Sequence, residues 1–107
     1  MVVADACPRG REAAVPIYVT LFKWTDQGRK DVGTLPDRAA AVAKRIEQVG
    51  GKVIGNYVTM GQYDQIAITE APDDETVAKM ALIIAGRGNA VSETLRGFTM
   101  DEVRKLV

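Results

Sequence analysis

The chain has 107 residues, and its 14 basic and 14 acidic side chains cancel to a formal net charge of zero. This length suits one domain. No surplus of positive charge attracts nucleic acid or an anionic membrane, and no apolar run approaches the roughly 20 residues of a membrane-spanning helix. The absence of histidine removes the commonest metal ligand and the usual general base near neutral pH. We therefore expect no nucleic-acid or membrane partner, no metal site and no cofactor.

Cys7 is the single cysteine, which excludes an internal disulfide and any multi-cysteine metal site. It fits a reducing compartment, so we expect a cytoplasmic protein. Residues 1–14 mix charged and small side chains without periodicity, which predicts a flexible tail. Asp5 interrupts the apolar stretch that a secretory signal would need. Residues 15–107 are then the folded domain.

The first half of that domain predicts a strand followed by a helix. Residues 17–24 form a β-branched and aromatic run that is typical of a strand with both faces occupied. Pro36 suits a first helical turn, and Gly50 with Gly51 suits a helix end. Between them, apolar residues recur at spacings of three and four, at Ala39, Val42, Ala43, Ile46 and Val49.

The second half predicts a hairpin, a helix and a final strand. Residues 52–60 and 65–69 are two strands joined by a tight turn at residues 61–64. Residues 72–75 place capping oxygens and negative charge at the start of a second helix, which ends near Gly86 and Gly88.

Residues 89–98 then give the fourth strand, and Thr99 with Glu102 predicts a capping box that opens a short terminal helix. The resulting order of strand, helix, strand, strand, helix, strand predicts an α+β, ferredoxin-like βαββαβ fold. In that fold the spatial order of the strands is fourth, first, third, second, with both helices on one face.

Side-chain alternation separates the two faces of the predicted sheet. We expect an aliphatic set to lie under the helices, namely Ile17, Val19, Leu21, Ile66, Ile68, Val91 and Leu95. The other face then carries the aromatic and polar set, including Tyr18, Thr20, Phe22, Trp24, Arg96 and Phe98. For the second strand the pattern leaves two alternatives, with Val53 and Tyr57 or Ile54 and Val58 as the buried pair.

The aromatic face covers about 400 Å², near the largest apolar patch that a monomer ordinarily exposes. Covering it with a second copy predicts a homodimer in which two sheets pack as a dimeric α+β barrel. Phe22, Trp24 and Phe98 are the interface candidates. The alternative is a monomer with an exposed aromatic face.

Four segments carry a family resemblance, and they occur in order along the chain. They are YVTLFKWTDQG at 18–28, the turn GQYD at 61–64, TEAPDD at 69–74 and SETLRGFT at 92–99. Together they resemble the GYD domain family over about residues 15–107. The resemblance implies a dimeric α+β barrel in a group of largely uncharacterised small proteins, and it implies no reaction.

The turn between the second and third strands offers candidate ligand-binding residues. Gly61 most simply supplies the turn conformation, and Asp64 most simply accepts hydrogen bonds from nearby amides. The alternative is that the hairpin rims a cavity and presents Tyr63 and Asp64 to a small polar ligand.

Four further residues are candidates for the same cavity. Arg96, on a face that should be covered, needs an anionic ligand or a carboxylate such as Glu93 or Glu70. Tyr18, Thr20 and Asn56 add hydroxyl and amide groups, although strand residues at a dimer interface would look the same.

The leading functional hypothesis is a protein that binds a small molecule in or at the mouth of the barrel. A cofactor-independent enzyme of the monooxygenase or isomerase type is the first alternative, by analogy of fold. Without histidine it would need a carboxylate with a raised pKa or an activated tyrosine as base. An assembly or interaction subunit is the second alternative.

Overall fold

The computed structural model describes residues 15–107. The tail predicted at residues 1–14, with Cys7, lies outside the described residues. The described part holds four strands and four α-helices, with a 3-10 turn at Val32–Thr34. In chain order they are β1 (Ile17–Trp24), α1 (Asp26–Lys30), α2 (Leu35–Gln48), β2 (Lys52–Val58), β3 (Gln65–Glu70), α3 (Asp74–Arg87), β4 (Ala90–Gly97) and α4 (Met100–Leu106).

The four strands form one antiparallel sheet with the order β2-β3-β1-β4. This order, with two long helices on one face, confirms the predicted ferredoxin-like α+β fold. Because β1 lies in the middle, its residues have a partner on each side: Val19, for example, pairs with Ile68 and with Leu95. None of the described helices is long and apolar enough to cross a bilayer.

The predicted helix boundaries are close to those observed, because the capping residues act as their types suggest. The side chain of Asp73 accepts the backbone N–H of Thr76 at the start of α3, and Gly88 ends that helix with a φ of 73°. Thr99 and Glu102 form both hydrogen bonds of a capping box at α4. The short helix α1 was not predicted; it forms because the side chain of Thr25 accepts the N–H of Gly28.

The assignment of the two sheet faces was wrong, although the division of residues between them was correct. The helices cover the aromatic set, so Tyr18, Thr20 and Phe22 are buried. Tyr18 packs in one cluster with Ile46 of α2 and Met80 of α3. Side-chain alternation could not decide which face of the sheet the helices cover, because β1 is apolar on both faces. The long aromatic side chains fill the deep layer between sheet and helices, and the aliphatic ones are left on the other side.

A β-bulge explains why neither alternative for the second strand describes β2. The register shifts between Val53 and Gly55, so alternation breaks there. Val53 packs against the core cluster on the helix side, whereas Tyr57 pairs with Ile66 on the other face. One residue of the predicted pair therefore lies on each face.

The sheet face that the helices leave uncovered is called the open face below. Its apolar residues are those that were predicted to lie under the helices, namely Ile17, Val19, Leu21, Ile66, Ile68, Val91 and Leu95. Val91 is 67% exposed and Leu95 44% exposed, so within the described chain a broad aliphatic surface faces solvent.

Candidate functional site

A cavity of about 110 Å³ lies between the sheet and the two long helices. Its floor comes from β1 and β3, with Phe22 and Ala67 both buried. Its walls come from the facing apolar sides of α2 and α3, which contribute Leu35, Ala39, Val42, Ala43, Ile46, Val77, Met80, Ala81 and Ile84. The interior of the cavity is therefore mainly apolar.

A row of hydrogen-bonded side chains forms one polar part of the lining. The indole Nε1 of Trp24 donates to Gln65 Oε1 at 2.9 Å, and Gln65 Nε2 donates to Asn56 Oδ1 at 2.8 Å. Across β1 and β4, the hydroxyls of Thr20 and Thr94 lie 3.5 Å apart. The three-residue row fixes the orientation of the Trp24 ring at the cavity wall.

Arg38 of α2 is a charged residue of the lining, and it is held by two hydrogen bonds. Its Nη2 donates to the carbonyl oxygens of Gly28 at 3.2 Å and Asp31 at 3.3 Å. Its Nε is buried and has no hydrogen-bond partner among the described residues. Arg87 is the second arginine of the lining, and no Asp or Glu of residues 15–107 belongs to it. The cavity thus combines an apolar interior with positive charge.

Of the predicted ligand-binding residues, Thr20 and Asn56 line this cavity. Phe22 and Trp24, predicted for a dimer interface, line it as well. The predicted interface role of these two residues assumed the opposite sheet orientation. Both side chains lie on the helix side, away from the open face.

Tyr18 lies on the same side of the sheet but contacts a different group. Its hydroxyl donates to Asp74 Oδ1 at 3.0 Å. Burial raises the pKa of the Tyr18 hydroxyl above its usual value, and the hydrogen bond to Asp74 raises that pKa further. The guanidinium of Arg96 lies 5.6 Å from the centre of the Tyr18 ring and 4.3 Å from that of Phe98. Arg96 also donates to the carbonyls of Ile17 and Gly97.

The turn residues lie apart from the cavity. Asp64 extends the pairing with β1, since its N–H donates to Phe22 O at 2.9 Å and its Oδ2 accepts the N–H of Trp24 at 2.8 Å. Gly61 has a φ of 104°, as a tight turn requires of glycine. The contacts of Asp64 hold the hairpin against β1, and Gly61 supplies the conformation of the turn.

Tyr63 reaches from that turn to the open face. Its hydroxyl donates to Glu93 Oε1 of β4 at 3.1 Å, and the Nζ of Lys23 lies 5.4 Å from its ring centre. The hydrogen bond to Glu93 raises the pKa of the Tyr63 hydroxyl. The predicted site residues therefore lie in three separate places: the cavity lining, the group around Tyr18 and Arg96, and the hairpin at one end of the open face.

The sequence analysis missed Arg38, although a signal for it exists. Arg38, Val42 and Ile46 are spaced four residues apart, so Arg38 lies on the apolar side of its helix. A charged residue in line with an apolar stripe is a sign of a polar group close to the interior. Among residues 15–107, no group of three or more metal-ligating side chains is placed to hold a metal ion.

Comparison with known proteins adds two findings. The family model described as the GYD domain matches residues 18–107. A protein from Thermus thermophilus, named glutamine synthetase and cystathionine beta-lyase binding protein, is 30% identical over 90 residues. That match covers 83% of this chain and 95% of the Thermus protein.

Proposed function

The chain belongs to the GYD domain family, and from this premise we propose that it is a homodimeric interaction subunit that binds metabolic enzymes. The observation that carries the proposal is the aliphatic open face of the sheet. A cytoplasmic location, which the single cysteine favours, is part of the proposal.

The centre of the open face has the composition of a buried surface. The cross-strand row Ile68, Val19 and Leu95 is aliphatic throughout. The next row joins Ile66 and Leu21 to Glu93 at the β4 edge. Monomeric proteins rarely expose a contiguous apolar surface of this kind, whereas two such sheets pack well face to face about 10 Å apart.

Charged groups surround this centre, as they do at the rim of a protein interface. Lys52 pairs with Glu70 across β2 and β3. At the other end, Lys23 and Glu93 flank the ring of Tyr63. Opposite charges at both ends of the face allow a two-fold arrangement in which a second copy meets complementary groups. We therefore assign the open face to a second copy of this chain.

Binding of enzymes is supported by the relative from Thermus, whose name gives it two enzyme partners. The match extends over nearly the whole of that protein, so the comparison concerns the complete domain and not a fragment of it. A homodimer would present every remaining surface twice, which suits a subunit that joins larger assemblies.

Sedimentation velocity of the wild type and of Val19→Glu tests the dimer. Val19 lies at the centre of the open face, where a carboxylate would be buried without a partner in the dimer. The control is Leu82→Glu on α3, whose side chain is already 72% exposed. We expect a dimer for the wild type and the control and a monomer for Val19→Glu. A monomeric wild type at micromolar concentration would refute the assignment.

Mixing experiments test the enzyme partners. Glutamine synthetase and cystathionine beta-lyase are purified from the organism that encodes this chain. Each enzyme is mixed with the protein, and the mixture is separated by size-exclusion chromatography. Co-elution with either enzyme in a fixed ratio is the expected result. If neither enzyme shifts in elution, while the wild type is a dimer, the interaction proposal is wrong and the dimer proposal stands.

Small-molecule binding is the second candidate function, and the cavity between sheet and helices favours it. Its position differs from the predicted one, because it lies under the helices and not between two sheets. The cofactor-independent enzyme receives less support, since an activated tyrosine base needs a lowered pKa, whereas burial raises the pKa of Tyr18 and the hydrogen bond to Glu93 raises that of Tyr63.

A further inference from the structure

The described lining of the cavity under α2 and α3 carries positive charge without a carboxylate. Arg38 and Arg87 both belong to its lining, and none of the described residues that line it has a carboxylate. Positive side chains close to an apolar interior are usually paired, because an unpaired charge away from water is unfavourable. Because the described lining supplies no anionic partner for these arginines, a bound ligand can supply one.

Arg38 is held in a position from which it can take a ligand carboxylate. Two backbone carbonyls fix one end of its guanidinium, at Gly28 and Asp31. The Nε on the same edge of the guanidinium is buried and has no partner among the described residues. Because Nη2 already donates to two carbonyls, Nε is the donor left on this edge. It can give one charge-assisted hydrogen bond to a single carboxylate oxygen.

The size of the cavity limits the apolar part of the ligand. Apolar cavities of about 150 Å³ bind benzene, which has six carbon atoms. A volume of about 110 Å³ therefore accommodates about four to six non-hydrogen atoms. The apolar walls at Val42, Ile46 and Met80 suit a hydrocarbon group of that size.

We propose that this cavity binds a short aliphatic monocarboxylate, with its hydrocarbon part between α2 and α3 and its carboxylate on Arg38. The inference rests on small-molecule binding, the second candidate function, and is independent of enzyme binding. It differs from the predicted ligand site, because Tyr63, Asp64 and Arg96 take no part in it.

Trp24 provides the measurement. It is the sole tryptophan of the chain and it lines the cavity, so its fluorescence reports occupancy directly. The probe is 4-methylpentanoate, and the matched neutral probe is 4-methylpentanamide, which has a similar shape without the charge. We expect a saturable fluorescence change with the carboxylate and an affinity for the amide that is weaker by about tenfold or more.

Three variants separate a specific site from general effects. Arg38→Gln should remove the preference for the carboxylate over the amide. Arg45→Gln, an exposed position on the same helix, should leave that preference unchanged. Ala43→Leu places a larger side chain in the cavity wall and should abolish binding of both probes. Circular dichroism shows whether each variant is folded.

The inference is overturned if 4-methylpentanoate gives no saturable change at millimolar concentrations, or if the wild type binds both probes equally. It is also overturned if Ala43→Leu binds as the wild type does. If Arg38→Gln does not fold, the affinities of the wild type for the two probes still show whether the cavity prefers the carboxylate. If the cavity binds no carboxylate, the sedimentation of the dimer and its co-elution with the enzymes remain as expected. The ligand proposal and the interaction proposal can therefore fail independently.

Discussion

The hydroxyl of Tyr18 donates a hydrogen bond of 3.0 Å to the carboxylate of Asp74, which links the sheet to the first turn of α3. The ring of Tyr18 packs against Ile46 and Met80, so the same side chain also joins both long helices to the core. Since burial and the neighbouring carboxylate both disfavour the phenolate, the Tyr18 pKa is raised above 10.0.

Tyr18→Phe should lower the free energy of unfolding at pH 7 by about 1 kcal/mol, because it removes one partly buried hydrogen bond and keeps the ring. The raised pKa also predicts a pH dependence. The contribution of the Tyr18 hydroxyl is complete below pH 10 and is lost as the pH rises through the folded-state pKa. Urea unfolding of wild type and variant at neutral and alkaline pH should therefore show a smaller difference at alkaline pH.

Tyr57→Phe is the control for that experiment, since Tyr57 lies on the edge strand β2 and is 57% exposed in the single chain. It should change the unfolding free energy at pH 7 less than Tyr18→Phe does. Equal effects of the two substitutions would show that the Tyr18 hydroxyl adds no stability beyond that of an exposed phenol.

The sequence predicted the fold well because its local signals are strong and agree with one another. Capping residues such as Asp73 and Thr99 and the stop at Gly88 act within one turn of chain, so they can be recognised without knowledge of the rest. The topology followed because a βαββαβ order allows few right-handed arrangements. The missed helix α1 has only five residues, too few for an apolar periodicity to mark it, and its local signal is the single cap at Thr25.

The faces and the site could not be predicted as well, because they depend on contacts distant in sequence. Val19 and Tyr18 are both suitable for a core, and only packing against Ile46 and Met80 decides which is covered. The role of Arg38 depends on the carbonyls of Gly28 and Asp31, which a separate turn places beside it. The bulge near Val53 likewise has no local marker that fixes its position.

Asp73 gives a second prediction, at low pH. Its Oδ1 accepts the backbone N–H of Thr76 at 2.8 Å and the Thr76 hydroxyl at 2.7 Å. These hydrogen bonds favour the carboxylate and lower the Asp73 pKa below 3.8. The stabilisation is therefore present at neutral pH and is lost as the pH falls through the folded-state pKa. The melting temperature should fall between pH 7 and pH 2, and protonation of Asp73 should contribute to that fall.

Two substitutions at this position separate charge from capping. Asp73→Asn keeps a capping oxygen but cannot titrate, so its melting temperature should fall less steeply below pH 4 than that of the wild type. Asp73→Ala removes the cap and should melt at a lower temperature than Asp73→Asn at pH 7. If Asp73→Asn and the wild type decline in parallel at low pH, the titration of Asp73 has no part in acid unfolding.

Gly28 gives the third prediction, which concerns the unpredicted helix α1. A Cβ at this buried position would collide with the backbone carbonyl oxygen of Asn89. The same carbonyl accepts the N–H of Thr25 at 3.0 Å, so the loop after α3 cannot move away without losing that hydrogen bond. Gly28→Ala should therefore reduce the free energy of unfolding by about 1–3 kcal/mol, as overpacking does.

Gly86→Ala is the matched control, because Gly86 lies within α3 and a Cβ there meets no atom within 4 Å. Replacing a helical glycine by alanine should stabilise the protein by up to about 1 kcal/mol, so the two substitutions are expected to act in opposite directions. Urea unfolding measures both. A Gly28→Ala variant as stable as the wild type would mean that α1 does not pack on the loop at Asn89, and the placement of Arg38 by the Gly28 carbonyl would then have to be revised.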